Sequence, residues 1–356
     1  MPHNLRLYHK ICRQLVQWRD ERITRIRNMA LLITGLALGL GIHMSDIVSE
    51  WPVAGREPSL VNRLRRFLSN SAVHVQAWYR PVAEHLLAPF AGQRIRLVVD
   101  VTKLGFDQRL MVIGIAYRKR TLPLVWEVYP GGRGHTTVQE QKRLFRAVAQ
   151  LIPQNCEVWV LADTEFQHVP LLRWFQRRAW HFVIRQRGSV KVYRQGHGWQ
   201  KINTLALEEG ETRVIGWVRL TEKHNAGWFW LILHWKTGED EPWYLISDRS
   251  GQRDLIRLYG VRMWIEEMYG DMKGHGFDLE ATHLRDLDRL SRLFLGVCIT
   301  FVWFITLGTW VVKRGFRHWI DRKDRRDKSY FRLGWDWLKR CKRLNQPLRL
   351  HFRPYL

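Results

Sequence analysis

The sequence predicts an α/β fold: a helical region, then a sheet-bearing core, then a basic helical region. Three observations carry this. Residues 1–90 place apolar side chains at three- and four-residue spacing with no strand alternation. From residue 94 short aliphatic runs alternate with amphipathic stretches. After residue 250 the helical period returns and leads into a Lys/Arg-rich end. A chain of 356 residues is long enough for two or three modules with a buried core. The composition shifts divide it at 1–90, 91–187, 188–250, 251–312 and 313–356.

Within the first region, SLVNRLRRFL predicts a helix with Ser59 at its N-cap and an apolar stripe of Leu60, Leu64 and Phe67/Leu68. Asn62, Arg63, Arg65 and Arg66 fall mostly off that stripe, either as an ordinary basic surface or as a face toward DNA. RIRLVVDVTKL reads as a buried strand delivering Asp100, and LMVIGIAYRKRTLPLVWEVYP as a hairpin turning at Arg118–Thr121. PGGRGHT (130–136) breaks the chain; its spacing matches no phosphate loop, so it reads as a turn. TTVQEQKRLFRAVAQLI is an amphipathic helix, CEVWVLADTEF a second buried strand delivering Asp163, VPLLRWFQRRAW a helix and HFVIRQR a strand. Residues 188–250, rich in Thr, Trp, Val and Gly, read as short strands inserted before the next helix.

Two aliphatic strands each bring an aspartate near a carboxyl end, where ligands bind in open α/β sheets. The helix that follows, YGVRMWIEEMYGDMK (259–273), adds a patterned face. At about 100° per residue, Tyr259, Arg262, Glu266 and Lys273 lie within an arc of about 60°, whereas Glu267 points about 100° away from Glu266. The face suits either solvated ion pairs or a phosphate backbone with Glu266 toward a metal. Asp100, Asp163 and Glu266 supply the hard oxygen donors that Mg²⁺ takes, and three carboxylates suffice for two ions.

Charge narrows the partner. The formal net charge is +25, and residues 313–356 alone carry 15 Lys/Arg against 4 Asp/Glu. So basic a chain suits a polyanion such as DNA, RNA or an anionic membrane. Four scattered cysteines offer neither metal-ligand spacing nor a disulfide framework, and no GxxxxGK[ST] or GxGxxG fingerprint is present. No secretory leader is evident in the polar, basic first 30 residues, so a cytoplasmic, nucleoid-associated location is expected. LFLGVCITFVWFITLGTWVV (293–312) has the length of a membrane span.

These motifs resemble the bacterial insertion-sequence DDE transposases of the "insertion sequence four" family. Its signature Tyr-x2-Arg-x3-Glu-x6-Lys is met by Tyr259, Arg262, Glu266 and Lys273 at every spacing. LVVD and VLADTEF stand where that family has its two aspartates, although Glu165 replaces a customary glycine. RAWHFVIRQRGSV, RLTEKHN and EPWYLISD are similar to segments of members that move by cut-and-paste.

The resemblance implies an RNase H-like catalytic core interrupted by a β-strand insertion domain. It implies two Mg²⁺ ions, with Mn²⁺ substituting, on Asp100, Asp163 and Glu266. Tyr259, Arg262 and Lys273 would contact phosphates of the element's terminal inverted repeats. Trp235 or Trp243 would stack on a flipped base, against the plainer reading of each as insertion core. It also implies a homodimer in the synaptic complex, endonucleolytic cleavage through hairpin ends, joining to target DNA, and no membrane, with 293–312 a core helix. A catalytically inactive, domesticated DNA-binding relative is the alternative.

Overall fold

The computed structural model describes residues 2–39, 41–131, 136–223 and 227–355. The middle of PGGRGHT (132–135), Leu40 within the apolar run 31–44, and His224–Asn225 of RLTEKHN lie outside the described residues.

The amino-terminal region is helical: α1 (His3–Trp18), α2 (Ile23–Leu38), α3 (Met44–Ser49), α4 (Glu57–Leu68) and α5 (Val75–Leu87). α2 is buried almost all round, from Met29 to Ala37. α4 buries Leu64, Phe67 and Leu68 as its period requires. It begins three residues earlier than expected, however. Arg56 holds the N-cap position and Pro58 sits in the first turn, where its missing N–H costs nothing, so Ser59 is inside the helix.

The sheet begins with β1 (Arg94–Leu104), β2 (Gln108–Tyr117) and β3 (Arg120–Pro130). β2 and β3 join through Arg118 and Lys119, both at positive φ (43° and 63°), a two-residue turn whose twist suits a hairpin. Then come α6 (Val138–Ala149), β4 (Glu157–Ala162), α7 (Val169–Arg177) and β5 (His181–Arg185). Thr137 and Glu140 form a reciprocal capping box that starts α6. β1 runs parallel to β4, and β4 parallel to β5, while β2 and β3 are antiparallel additions.

The insertion supplies β6 (Lys191–Arg194), β7 (Gly198–Lys201), β8 (Thr212–Leu220), β9 (Trp228–His234) and β10 (Trp243–Ser247). These strands extend the core sheet: β10 pairs antiparallel with β5, giving a ten-stranded sheet among the described residues, in the order β3-β2-β1-β4-β5-β10-β9-β8-β6-β7. Residues 188–250 are thus an outgrowth of the same hydrogen-bonded layer.

α8 (Arg253–Gly260), α9 (Trp264–Met272), α10 (Leu287–Lys313) and α11 (Tyr330–Arg343) complete the fold. α10 contains the span-length run, and its apolar window is 89% buried in protein. It packs on α2, α4, α5, β3 and α11. α10 and α11 cross with backbones almost touching: a Cβ on Gly308 would lie 1.9 Å from the Tyr330 carbonyl oxygen, and one on Gly334 1.9 Å from that of Phe304. The basic end is therefore no free tail. α11 buries Phe331, Leu333, Trp335, Trp337, Leu338 and Cys341, and Phe352 beyond it is 3% exposed.

Candidate active site

β1 and β4 are neighbours, and their parallel pairing ends at Val98 and Leu161. Two residues beyond each of these partners stand Asp100 and Asp163, which places the two acids side by side. Asp163 follows β4 directly and caps a short turn at Thr164–Phe166, its Oδ1 accepting from the Glu165 backbone N–H at 2.9 Å. β1 does not end at Asp100, as the sequence suggested. It continues to Leu104 paired with β2.

The signature stretch is not one helix. α8 stops at Gly260, a tighter turn occupies Val261–Met263, and α9 starts at Trp264. The break aims Arg262 inward. Its Nη2 donates to Asp100 Oδ1 at 3.2 Å and its Nη1 to Glu266 Oε1 at 2.8 Å. One guanidinium thus ties the first acid, on β1, to the third, on α9. The arginine and Asp100 side chains are 12% and 13% exposed, Glu266 48%. Arg262 Nε is buried without an acceptor.

Electrostatics follow from this burial. Asp100 is pushed up to about 7, first by desolvation, with Arg262 opposing and the charge of Asp163 adding to the rise. Arg262 is held further into its charged form by Asp100, Tyr259, Asp163 and Glu266, against its own desolvation.

The adjacent glutamates separate cleanly. Glu266 faces Arg262, whereas Glu267 pairs with Arg120 Nη1 at 2.9 Å, an arginine that also holds the buried Asp271 at 2.6 Å. The rest of α9 clamps onto β1. The Tyr269 hydroxyl donates to the Asp100 carbonyl at 3.1 Å, and Lys273 Nζ donates to Thr102 Oγ1 and the Lys103 carbonyl, each at 2.9 Å.

Several residues expected on DNA are buried or engaged by partners within the protein. Tyr259 is 2% exposed, its ring edge-on to Trp243 at 4.8 Å. Lys273 is bound to β1 and to Glu280 at 2.7 Å. Trp235 sits in the turn after β9, its Nε1 donating to the Glu239 carbonyl at 2.8 Å. Trp243 is half-buried between Tyr259 and His234. The insertion's exposed indoles are instead Trp217 and Trp228, at 46% and 42%. On α4, Asn62, Arg65 and Arg66 face solvent, but Arg63 turns inward to Asn28 Oδ1 at 2.8 Å, over the Trp51 ring.

Two residues contribute in ways the sequence reading does not assign. Tyr269 is one: at about −80° from Tyr259 it shares the signature face, a signal that was there to read. Glu165 is the other: its Oε1 accepts from both the backbone N–H and the hydroxyl of Thr136, at 2.7 and 2.6 Å, fixing the approach to α6 beside Asp163. Nothing in the pattern announced that pairing.

A family model for the transposase DDE domain matches residues 102–303, more than half of the chain. The chain belongs to the DDE-domain transposases. The match contains Asp163 and Glu266 and starts two residues after Asp100. Among solved structures, this transposase is similar to a piggyBac transposase synaptic complex with hairpin DNA, at 11% identity and a TM-score of 0.44, covering 98% of this chain and 83% of that one. No curated protein matches it.

The three acids fit a hard divalent cation by donor type and by charge. Asp100 and Asp163 repel each other in a buried setting, and a cation relieves that repulsion. No three His, Cys, Asp or Glu side chains converge on a single point among the described residues.

Proposed function

We propose that this transposase belongs to the "insertion sequence four" group and moves its element by cut-and-paste. The observation that carries the reading is the link from Asp100 through Arg262 to Glu266, with Asp163 on the neighbouring parallel strand. Strand order 3-2-1-4-5 with β2 and β3 antiparallel supports an RNase H-like core. Asp100, Asp163 and Glu266 hold Mg²⁺, as two ions, with Mn²⁺ able to substitute. When bound, such ions stabilise the attacking and leaving oxygens of an in-line displacement at phosphorus.

The chain's own residues do the positioning. Arg262 keeps Asp100 and Glu266 in register through its two Nη donors. Tyr269 and Lys273 lock α9 to β1, so that Glu266 is presented on a rigid element. Tyr259 supports Arg262 from the core. Exposed Asn62, Arg65 and Arg66 on α4 are available to DNA backbone or bases. The substrate is double-stranded DNA carrying the element's terminal repeats, cut through hairpin ends and joined to a target. The working form is a homodimer, located in the cytoplasm at the nucleoid.

The test uses a labelled duplex containing one element end, taken from DNA flanking the gene. Wild type and Glu266→Gln are each incubated with Mg²⁺ or Ca²⁺ and resolved on a denaturing gel. Nicked and hairpin products from wild type with Mg²⁺ alone are expected. Binding without product in any lane would favour a non-catalytic relative.

A further inference from the structure

The turn between β1 and β2 pushes an aromatic ring out of the fold. Phe106 is 46% exposed. It and Asp107 both lie in the left-handed region, at φ 56° each, a conformation that a bulky side chain seldom adopts. The ring has two neighbours. The Arg285 guanidinium lies 5.0 Å from its centroid, and His283 packs at 5.9 Å. His283 stacks in turn on His43 at 5.4 Å, so three rings lead from the turn into the amino-terminal helical region.

Beside this column opens a cavity of about 580 Å³, lined by His43, Arg65, His283, Arg285 and Arg289 among others. Among the described residues, none of the three arginines makes an ion pair; Arg65 meets only the Asn62 amide oxygen. The acid on the lining is Asp286, and its Oδ1 accepts from the Arg289 backbone N–H at 2.8 Å. Gln108, 2% exposed, donates to the Leu284 and Arg285 carbonyls at 3.1 and 2.8 Å, fastening the turn to the segment that carries the cations. Phe106 stands six residues along the chain from Asp100, at most about 20 Å at strand rise, within reach of one duplex lying on both.

We propose that this aromatic–arginine cleft is a second DNA site, distinct from the carboxylates. Phe106 stacks on a base exposed where the duplex is broken or distorted, and Arg65, Arg285 and Arg289 neutralise the flanking phosphates. A ring exposed to this extent offers an aromatic surface on which one unpaired base can stack. The site rests on the transposase reading above.

The test compares full-length wild type, Phe106→Ala, Phe106→Trp and the double variant Arg285→Ala/Arg289→Ala. The probes are a fluorescent paired duplex and the same duplex with a single 2-aminopurine bulge. Wild type and Phe106→Trp bind the bulged probe roughly ten-fold tighter and quench its 2-aminopurine. Phe106→Ala loses the preference and the quenching but keeps its affinity for the paired duplex. The double variant weakens on both probes, with a salt slope shallower by about two. A retained preference in Phe106→Ala, or an unchanged slope in the double variant, overturns the site. Wild type binding neither probe overturns the DNA reading itself and this site with it.

Discussion

Removing the charge of Asp100 should stabilise the metal-free protein. Its rise from 3.8 to about 7 is dominated by desolvation, with Asp163 adding to it and Arg262 only partly offsetting it. At 1.36 kcal/mol per pH unit, that displacement corresponds to about 4 kcal/mol against the ionised folded form. Because the folded chain holds this proton more tightly than the unfolded chain, the cost is absent below about pH 4, grows between about pH 4 and 7, and is complete at pH 8. Asp100→Asn keeps the shape and discards the charge. With an unfolding entropy of about 2.1 cal/mol/K per residue, 4 kcal/mol corresponds to a rise in Tm of about 5 °C for a chain of this size. The assay is scanning calorimetry in EDTA at pH 8 and pH 4.5. The variant should melt higher at pH 8, the gap should narrow at pH 4.5, and added Mg²⁺ should raise the Tm of wild type but not of the variant. A variant that melts at or below wild type at pH 8 would refute the claim that burial and Asp163 strain this carboxylate.

Three further outcomes follow from the same geometry. Arg262→Gln removes the cation from Asp100 and should cost about 3–5 kcal/mol at pH 8 in EDTA, less at pH 5, by urea titration. Gly334→Ala drives a methyl into the Phe304 carbonyl, and it should lower the urea midpoint by an amount equivalent to about 1–3 kcal/mol or more, with α10 and α11 forced apart. Glu165→Ala removes the acceptor of the Thr136 N–H and of its hydroxyl proton and should cost about 1–3 kcal/mol, read by the same titration; an unchanged midpoint would show that the contact is idle.

What could be read from the sequence was what local chemistry dictates. The aliphatic runs LVVD and VLAD became adjacent parallel strands because β-branched and aliphatic residues suit a layer buried on both faces. Glu266 was separable from Glu267 by helical phase, and the phase survived the irregular turn at Val261–Met263 because both glutamates lie after it. Tyr259 and Lys273 lie at the far ends of the stretch, where the break and the helix terminus void a single angular count. Their partners, Trp243 and Thr102, come from distant strands that no spacing rule names. The joining of β10 to β5 was equally hidden, since short strands do not state which edge they take. Ser59 was misplaced because Pro58 moved the helix start upstream.

The crossing of α10 and α11 has a consequence for how the chain comes into being. Synthesis delivers the 27-residue α10 before the segment that covers it. Until residues 330–352 follow, the nascent polypeptide displays a helix apolar enough for a bilayer, with one flank bare. A premature stop near residue 313 would therefore not yield a transposase lacking a basic appendage. It would yield a product destined for aggregation or for a membrane surface, so a frameshift in the codons between α10 and α11 should silence the element as surely as loss of a carboxylate.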